Sequence, residues 1–239
     1  MEKISPLLHL RGEVLINFMS DFINRFIDDP RPNIAATFDT LFGGDWYQEW
    51  KELVDQGLSR ESAAIEVYTI RLKRAGNFQF VTSTRILKPQ ADRSYFYLIY
   101  ATQHWKGIQE FRGVEKKAIA TQESVRNAAK YKAQVERSGM ESLFGQQFSD
   151  MAAGTFEDEK RTQFIRGHEK LIATIKAHPN GIEYGQLLGE VLQTPLIWES
   201  ELKAWINDLR RQDKVTIPQL KPSERVPKPD YAIIPTNSL

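Results

Sequence analysis

The sequence of 239 residues contains no cysteine. This absence excludes disulfide bonds, thiolate chemistry, iron–sulfur clusters and zinc sites with cysteine ligands. It fits the reducing cytoplasm, which is the compartment we expect. Long apolar runs are also absent, because stretches such as Val14–Phe18 are far shorter than the roughly 20 residues that span a bilayer, so we expect no membrane insertion. Residues 1–10 contain one lysine and no long apolar stretch, which does not predict a signal peptide.

A large net charge is the third feature that the sequence lacks. The chain has 32 Lys and Arg residues against 31 Asp and Glu residues, which gives a net charge of +1. No overall field therefore attracts nucleic acid or anionic lipid, and any electrostatic function depends on local patches. Hydrophobic residues make up 41% and charged residues 26%, as in globular proteins. The length of 239 residues predicts one large domain or two small ones.

The first part of the chain has the pattern of an α/β region. An apolar run typical of a buried strand is followed by stretches with helical spacing and then by two stretches rich in β-branched and aromatic residues. Asp45 and Ser59 have side chains typical of helix N-caps. The predicted elements are a strand at 13–18, helices at 19–27, 34–42, 46–54 and 60–75, an antiparallel hairpin of strands at 78–87 and 95–102, and a helix at 104–136.

The last part of the chain has a different order of elements. Glycines and an acidic cluster make residues 137–159 the least regular stretch, and we predict a linker there with one short helix. Three helices and a two-stranded ribbon follow, which is the order of a winged helix. The predicted elements are helices at 162–177, 184–192 and 198–212 and strands at 215–217 and 231–234. The predicted domains are residues 1–140, a linker at 141–160 and residues 161–239.

Four stretches resemble the three-Cys-motif partner (TcmP) family. They are GEVLINFMSDFINRF, LFGGDWYQEW, GNFQFVTSTRIL and YFYLIYATQHWKGIQEF. The resemblance covers roughly residues 12–112 and 162–234 and includes the Thr194-Pro195 break. It implies late strands of a class I methyltransferase-like, Rossmann-like sheet with a terminal antiparallel hairpin, followed by an α+β winged-helix domain. It also suggests a bacterial or phage defence system.

The chain departs from the family in its cofactor region. The resemblance implies an upstream glycine-rich loop that cradles S-adenosylmethionine and an acidic residue that holds its ribose. Here no Gly-x-Gly turn follows the first strand, and Gly43-Gly44 lies between two predicted helices. We therefore expect no cofactor in this chain alone and no enzyme activity of the chain on its own. S-adenosylmethionine binding would need a partner chain that supplies the loop.

Three residues are candidates for a ligand edge of the sheet. Asn17 and Asp21 follow the first strand at its carboxyl end, where open α/β sheets hold ligands. His104 follows the last strand of the hairpin. Capping or solvation is the alternative role for Asn17 and Asp21, and packing at a helix start is the alternative for His104. The four histidines have no i, i+4 spacing, and we predict no metal site.

Basic residues cluster in the predicted third helix and wing. Between 203 and 228 there are seven positive residues and three negative ones, a local charge of +4. In a winged helix these residues would meet nucleic-acid phosphates, although the early helix is acidic and winged helices also dock proteins. The candidate nucleic-acid-binding residues are Lys203, Arg210, Arg211, Lys214, Lys221, Arg225 and Lys228.

Three functional hypotheses follow from the sequence. The first is a non-catalytic or half-catalytic TcmP-like subunit that joins a partner chain by its open sheet edge and binds nucleic acid or protein by its winged helix. The second is an S-adenosylmethionine-dependent methyltransferase completed by a separate N-terminal chain. The third is a homodimeric DNA-binding regulator in which strand 13–18 pairs with its own copy.

Overall fold

A computed structural model describes residues 12–89, 91, 93–138 and 145–236. In these residues the chain is mixed α/β, with eight helices and two three-stranded antiparallel sheets. They divide into two compact units. The first unit runs to Lys88 and resumes over Arg93–His104, and the second contains Pro89 and the chain from Trp105 onward.

The first unit contains three strands and four helices. The predicted strand at its start and the predicted hairpin are confirmed, with ends that shift by one or two residues. The elements are β1 (Val14–Phe18), α1 (Ser20–Phe26), α2 (Pro32–Phe42), α3 (Trp46–Asp55), α4 (Arg60–Ala75), β2 (Phe80–Leu87) and β3 (Ser94–Thr102).

The last strand in the chain, β3, lies at the centre of the first sheet. The strand order is β1-β3-β2, and β3 is antiparallel to both neighbours. The strands β1 and β2 therefore run in the same direction without touching. One face of the sheet, including Phe18 and Ile99, belongs to a buried core with Val67 and Tyr68 of α4. In β1 and β3, buried and more exposed residues alternate, and this alternation places the core on a single face of the sheet.

The two predicted N-caps of the first unit have different outcomes. Ser59 caps α4, because its Oγ accepts a hydrogen bond from the Ser62 amide at 3.1 Å. Asp45 precedes α3 as predicted, but its side chain makes no capping hydrogen bond. Its φ of 57° lies in the left-handed region, which Asp adopts more readily than most residues. Asp45 therefore forms the turn after Gly43 instead of capping the helix.

The second unit contains four helices and three short strands. The predicted three helices and two-stranded ribbon are confirmed in order. The elements are α5 (Trp105–Ser138), α6 (Gly145–Lys176), β4 (Ile182–Glu183), α7 (Tyr184–Val191), α8 (Glu199–Arg211), β5 (Val215–Thr216) and β6 (Ala232–Pro235). The sheet order is β4-β6-β5, and both pairs are antiparallel. The strand β4 was not predicted, since two residues show no periodicity.

The region predicted as a linker differs in the structure. Residues 139–144 lie outside the described part of the chain, and residues 145–160 belong to the single helix α6 instead of a linker with one short helix. Helix-forming residues such as Ala152 and Ala153 outweigh Gly154 over this length. The boundary between the two units lies after His104 and not at 141–160.

Helix α5 belongs to the second unit because it buries polar as well as apolar side chains there. Arg112 is only 1% exposed, and its Nε donates to the Leu192 carbonyl at 2.8 Å. The same guanidinium pairs with Glu115, whose Oε2 accepts from Trp198 Nε1 at 3.3 Å. This network holds the carboxyl end of α7 and the start of α8 against α5. No helix in the described residues has the length and apolar character needed to cross a membrane.

Candidate functional site

The outer edge of β1 is the first candidate surface. One edge of β1 pairs with β3 from Val14 opposite Ala101 to Phe18 opposite Tyr97. Along the other edge, no strand pairs with β1 among the described residues. An open edge presents unpaired backbone amides and carbonyls, and proteins usually protect it with charge, proline or a bulge. The sequence VLINF contains none of these residues, and the register with β3 has no bulge.

Exposed apolar side chains lie beside this edge. Val14, Ile16 and Phe18 face the core, whereas the alternation of a strand directs Leu15 to the opposite face. Leu15 is 61% exposed, and Met19 and Phe22, which follow the strand, are 51% and 42% exposed. Phe22 stacks on the core residue Phe38 with ring centroids 5.5 Å apart, so we call only Leu15 and the open backbone of β1 the β1 edge. An open edge at strand 13–18 was predicted from the sequence, but the exposure of Leu15 was not.

The other edge strand of the same sheet has a different environment. From Phe80 to Thr84 every residue of β2 is buried, although β2 also has only one neighbouring strand among the described residues. Thr82 and Thr84 point to the face opposite the core and are still only 2% and 6% exposed. The contrast singles out β1 as the strand whose outward face is open.

The three candidate ligand residues lie at opposite ends of the sheet. Asn17 is exposed near the carboxyl end of β1, and Asp21 follows in α1. Because β3 runs antiparallel to β1, His104 follows β3 at the amino end of β1. A strand of this length extends about 3.3 Å per residue, so roughly 15 Å separates the two ends. The structure thus brings Asn17 and Asp21 to one end and His104 to the other.

Asp21 has a local partner in the first unit. Its Oδ2 accepts from Lys88 Nζ at 2.7 Å, and this hydrogen bond lowers the pKa of Asp21 below its ordinary value. The contact connects α1 to the end of β2. The carboxylate therefore has a structural role that the capping or solvation alternative did not include.

A polar cluster that the sequence analysis did not identify lies at the other end of β1. The Thr102 hydroxyl donates to Glu13 Oε1 at 3.0 Å and accepts from the His104 amide at 3.2 Å. Burial, and after it hydrogen bonding to Glu13, raises the pKa of Tyr100 to about 12. The phenol therefore remains protonated at neutral pH and acts as a hydrogen-bond donor.

The charged side chains of α8 are mostly occupied within the second unit. Lys203 pairs with Glu199 at 2.8 Å, and Arg211 pairs with Asp208 at 3.3 Å. Arg210 donates to the Asn207 side chain at 3.3 Å. These contacts span three or four residues of one helix, which is the spacing that brings helical side chains together.

The acidic start of α8 also has structural contacts. Glu199 accepts from Gln109 of α5 at 2.9 Å. Glu201 accepts from the Trp198 amide at 3.2 Å, the reciprocal contact of a capping box. The acidic start of α8 was an argument against contact between this helix and DNA bases. In the structure these carboxylates position the helix.

The remaining basic candidates lie at the base of the ribbon and in the loop 217–231, which we call the wing. Lys214 lies at the base, where its carbonyl accepts from the Thr236 amide. Lys221, Arg225 and Lys228 lie in the wing and are exposed. Lys228 is 3.7 Å from Glu224. Lys214, Lys221 and Arg225 form no ion pair within the described residues.

The described residues do not fit an S-adenosylmethionine site. No Gly-x-Gly turn follows a strand in them, and Gly43-Gly44 lies between α2 and α3. Helix α1, which follows β1, has Asp21 in its first turn, and that carboxylate is held by Lys88. Groups of three or more His, Asp or Glu residues that could hold a metal ion are absent from the described part of the chain.

No family model matches the chain, and comparisons with curated proteins and with solved structures find no match. The resemblance to the TcmP family therefore stays a prediction.

Proposed function

We propose that this chain is a non-catalytic or half-catalytic subunit whose first sheet is continued by a strand of a partner chain at the β1 edge. The observation that supports it is an uncharged edge strand with one neighbouring strand among the described residues and with Leu15 61% exposed. Pairing would satisfy the open backbone groups of β1 and cover Leu15. We place this subunit in the cytoplasm, consistent with its lack of cysteine.

The strand order supports a TcmP-like, methyltransferase-like interpretation of the first unit. In the late part of such a sheet, the final strand returns antiparallel beside its predecessor. Here β3 is antiparallel beside β2, and β1 runs in the same direction as β2. A partner that supplied the glycine-rich loop would make the assembly a methyltransferase, and a partner without it would leave a binding assembly.

The test is Leu15→Arg in the tagged chain purified from its native host, with native mass as the measurement. We expect a stoichiometric complex with a second protein for the unmodified chain and its loss in the variant, because a charge beside the edge opposes pairing. Val114→Arg in α5 is the matched control, since Val114 is 65% exposed and lies in the other unit. The control should leave the complex intact.

The native mass also distinguishes the alternatives. A dimer of this chain alone would contradict the partner proposal and support the homodimeric regulator. A monomer, or a complex that survives Leu15→Arg, would contradict any role of the β1 edge. If the complex forms, calorimetric titration with S-adenosylmethionine separates the methyltransferase from the non-catalytic subunit.

Nucleic-acid binding by the second unit is a second proposed function. The order α6-β4-α7-α8-β5-β6 with the sheet β4-β6-β5 supports a winged-helix interpretation. Exposed cations in the wing support contact with phosphates. Titration of the whole chain with duplex DNA at several salt concentrations tests this function, and absence of salt-dependent binding would contradict it.

A further inference from the structure

We infer that the wing, and not helix α8, makes the phosphate contacts of the second unit, and that these contacts recognise duplex nucleic acid without sequence preference. The inference rests on the proposed nucleic-acid function and specifies its surface and ligand. It follows from how the two candidate surfaces use their charges.

Helix α8 presents little that could read bases. Its exposed positions recur at helical spacing along one stripe: Ser200, Ala204, Asp208 and Arg211. The two central residues of this stripe, Ala204 and Asp208, present a methyl group and a carboxylate. A carboxylate there opposes approach to phosphates, and Ala has no hydrogen-bonding group for a base edge. The one cation of the stripe, Arg211, is paired with Asp208 at 3.3 Å.

Two of the three wing cations form no ion pair within the described residues, whereas Lys228 is 3.7 Å from Glu224. Arg225 and Lys221 are exposed, and within the described residues neither forms an ion pair. The Glu224 amide donates to the Lys221 carbonyl at 2.9 Å, which closes a turn. Lys221 and Arg225 therefore flank one turn, and both can reach the same nucleic-acid backbone.

Several contacts hold the wing in one conformation. Glu224 accepts from the Lys221 amide at 3.2 Å and from the Tyr231 hydroxyl at 3.1 Å. Gln219 Oε1 accepts from the Ala232 amide at 3.2 Å. Four prolines further restrict the backbone; they are Pro218, Pro222, Pro227 and Pro229. An ordered loop loses little entropy when its cations bind, which favours a preformed phosphate-binding surface.

The lack of free base-reading groups on the exposed stripe of α8 predicts the specificity. Lysine and arginine contacts to phosphates carry no sequence information and release counterions, so affinity should fall steeply with salt. We expect similar affinities for duplexes of unrelated sequence.

The experiment compares two double variants of the whole chain by fluorescence anisotropy with a labelled duplex of random sequence. Lys221→Ala with Arg225→Ala removes the wing cations. Lys203→Ala with Arg211→Ala is the matched control, since it removes the same number of charges from α8. We expect the wing variant to bind more weakly and its log Kd–log salt slope to fall by about 2, one for each lost phosphate contact. The control should keep the wild-type slope.

Each other outcome contradicts a stated part of the proposal. If the wild-type chain binds no duplex, the proposed nucleic-acid function fails and this inference fails with it, leaving protein docking as the role of the second unit. If binding exists and the control loses as much as the wing variant, only the assignment to the wing is wrong. A strong preference for one duplex sequence would contradict recognition of the backbone alone. Thermal melting followed by circular dichroism checks that both variants are folded.

Discussion

The two sheets of this protein end in opposite ways. In the first unit the edge strand β1 is apolar, has no bulge and lies beside exposed Leu15. In the second unit the edge strands β4 and β5 have two residues each. Very short edge strands offer little template for another strand. The difference teaches that the partner proposed for the first unit would use backbone pairing, whereas a partner of the second unit would have to use side chains.

The units also differ in what stabilises them. The first unit has a continuous aromatic cluster in which Phe42 stacks on Trp46 with ring centroids 4.8 Å apart. The second has a buried ion pair between Arg112 and Glu115. A buried charge that loses its partner is costly. Three predictions, in order of decreasing effect, test polar contacts in the two units: the buried ion pair, the cap of α4 and the hydrogen bonds of the wing.

The largest effect is expected for Arg112→Met. Removal of the guanidinium leaves the Glu115 carboxylate buried without its partner and frees the Leu192 carbonyl. We expect a loss of about 3–5 kcal/mol in the free energy of unfolding, measured by urea denaturation. Lys117→Met, on the exposed side of the same helix, is the control and should change stability little.

A second substitution shows whether the effect comes from the orphaned charge. Adding Glu115→Gln to Arg112→Met should recover part of the lost stability, because a neutral amide replaces the carboxylate. A loss below 1 kcal/mol for Arg112→Met alone would mean that α5 does not anchor the second unit.

A smaller effect is expected for Ser59→Ala in the first unit. The substitution removes the acceptor of the Ser62 amide at the start of α4. Loss of such a cap costs about 1 kcal/mol, which chemical denaturation can measure. Ser62→Ala is the comparison variant: it keeps the amide that donates to Ser59 and removes only the 2.8 Å hydrogen bond between the two hydroxyl groups. If both variants lose the same stability, the cap does not account for the effect.

The smallest expected effect is a change in the conformational stability of the wing with pH. Hydrogen bonds from the Lys221 amide and then from Tyr231 hold the pKa of Glu224 below its ordinary value of 4.5. A lowered pKa in the folded state stabilises the wing above the ordinary value, and this contribution is lost as pH falls through the lowered one. Glu224→Gln should remove the dependence.

Hydrogen exchange of the Lys221 amide provides the measurement for the wing. After correction for intrinsic rates, we expect its protection to decrease below pH 4.5 in the wild type and to be independent of pH in the variant, whose side chain does not titrate. Protection that does not change with pH in the wild type would show that Glu224 does not order the wing.

The sequence predicted the elements whose signals are local. The β2–β3 hairpin was predicted from its β-branched and aromatic residues, and the cap at Ser59 from its side chain. The short strand β4 was missed, because its pairing with β6 depends on residues almost fifty positions later. Asp45 was predicted as a cap, but the turn at Gly43 places its backbone in the left-handed region.

The candidate sites were less predictable, because they depend on contacts between residues that are distant in the sequence. Asn17 and His104 were grouped as one ligand edge, but the antiparallel position of β3 separates them. The ion pairs of Lys203 and Arg211 could be inferred from helical spacing, and they change which cations are available. Exposure of Leu15 depends on which strands surround β1, and no local pattern shows that.

The central position of β3 has a consequence for synthesis on the ribosome. Val14 pairs with Ala101, so β1 leaves the ribosome long before its only neighbour in the described sheet has been made. During that interval both edges of an apolar strand are open. The nascent chain therefore passes through a stage in which aggregation or capture by a chaperone competes with folding. The partner that we propose would find β1 accessible at this stage, before the first sheet is complete.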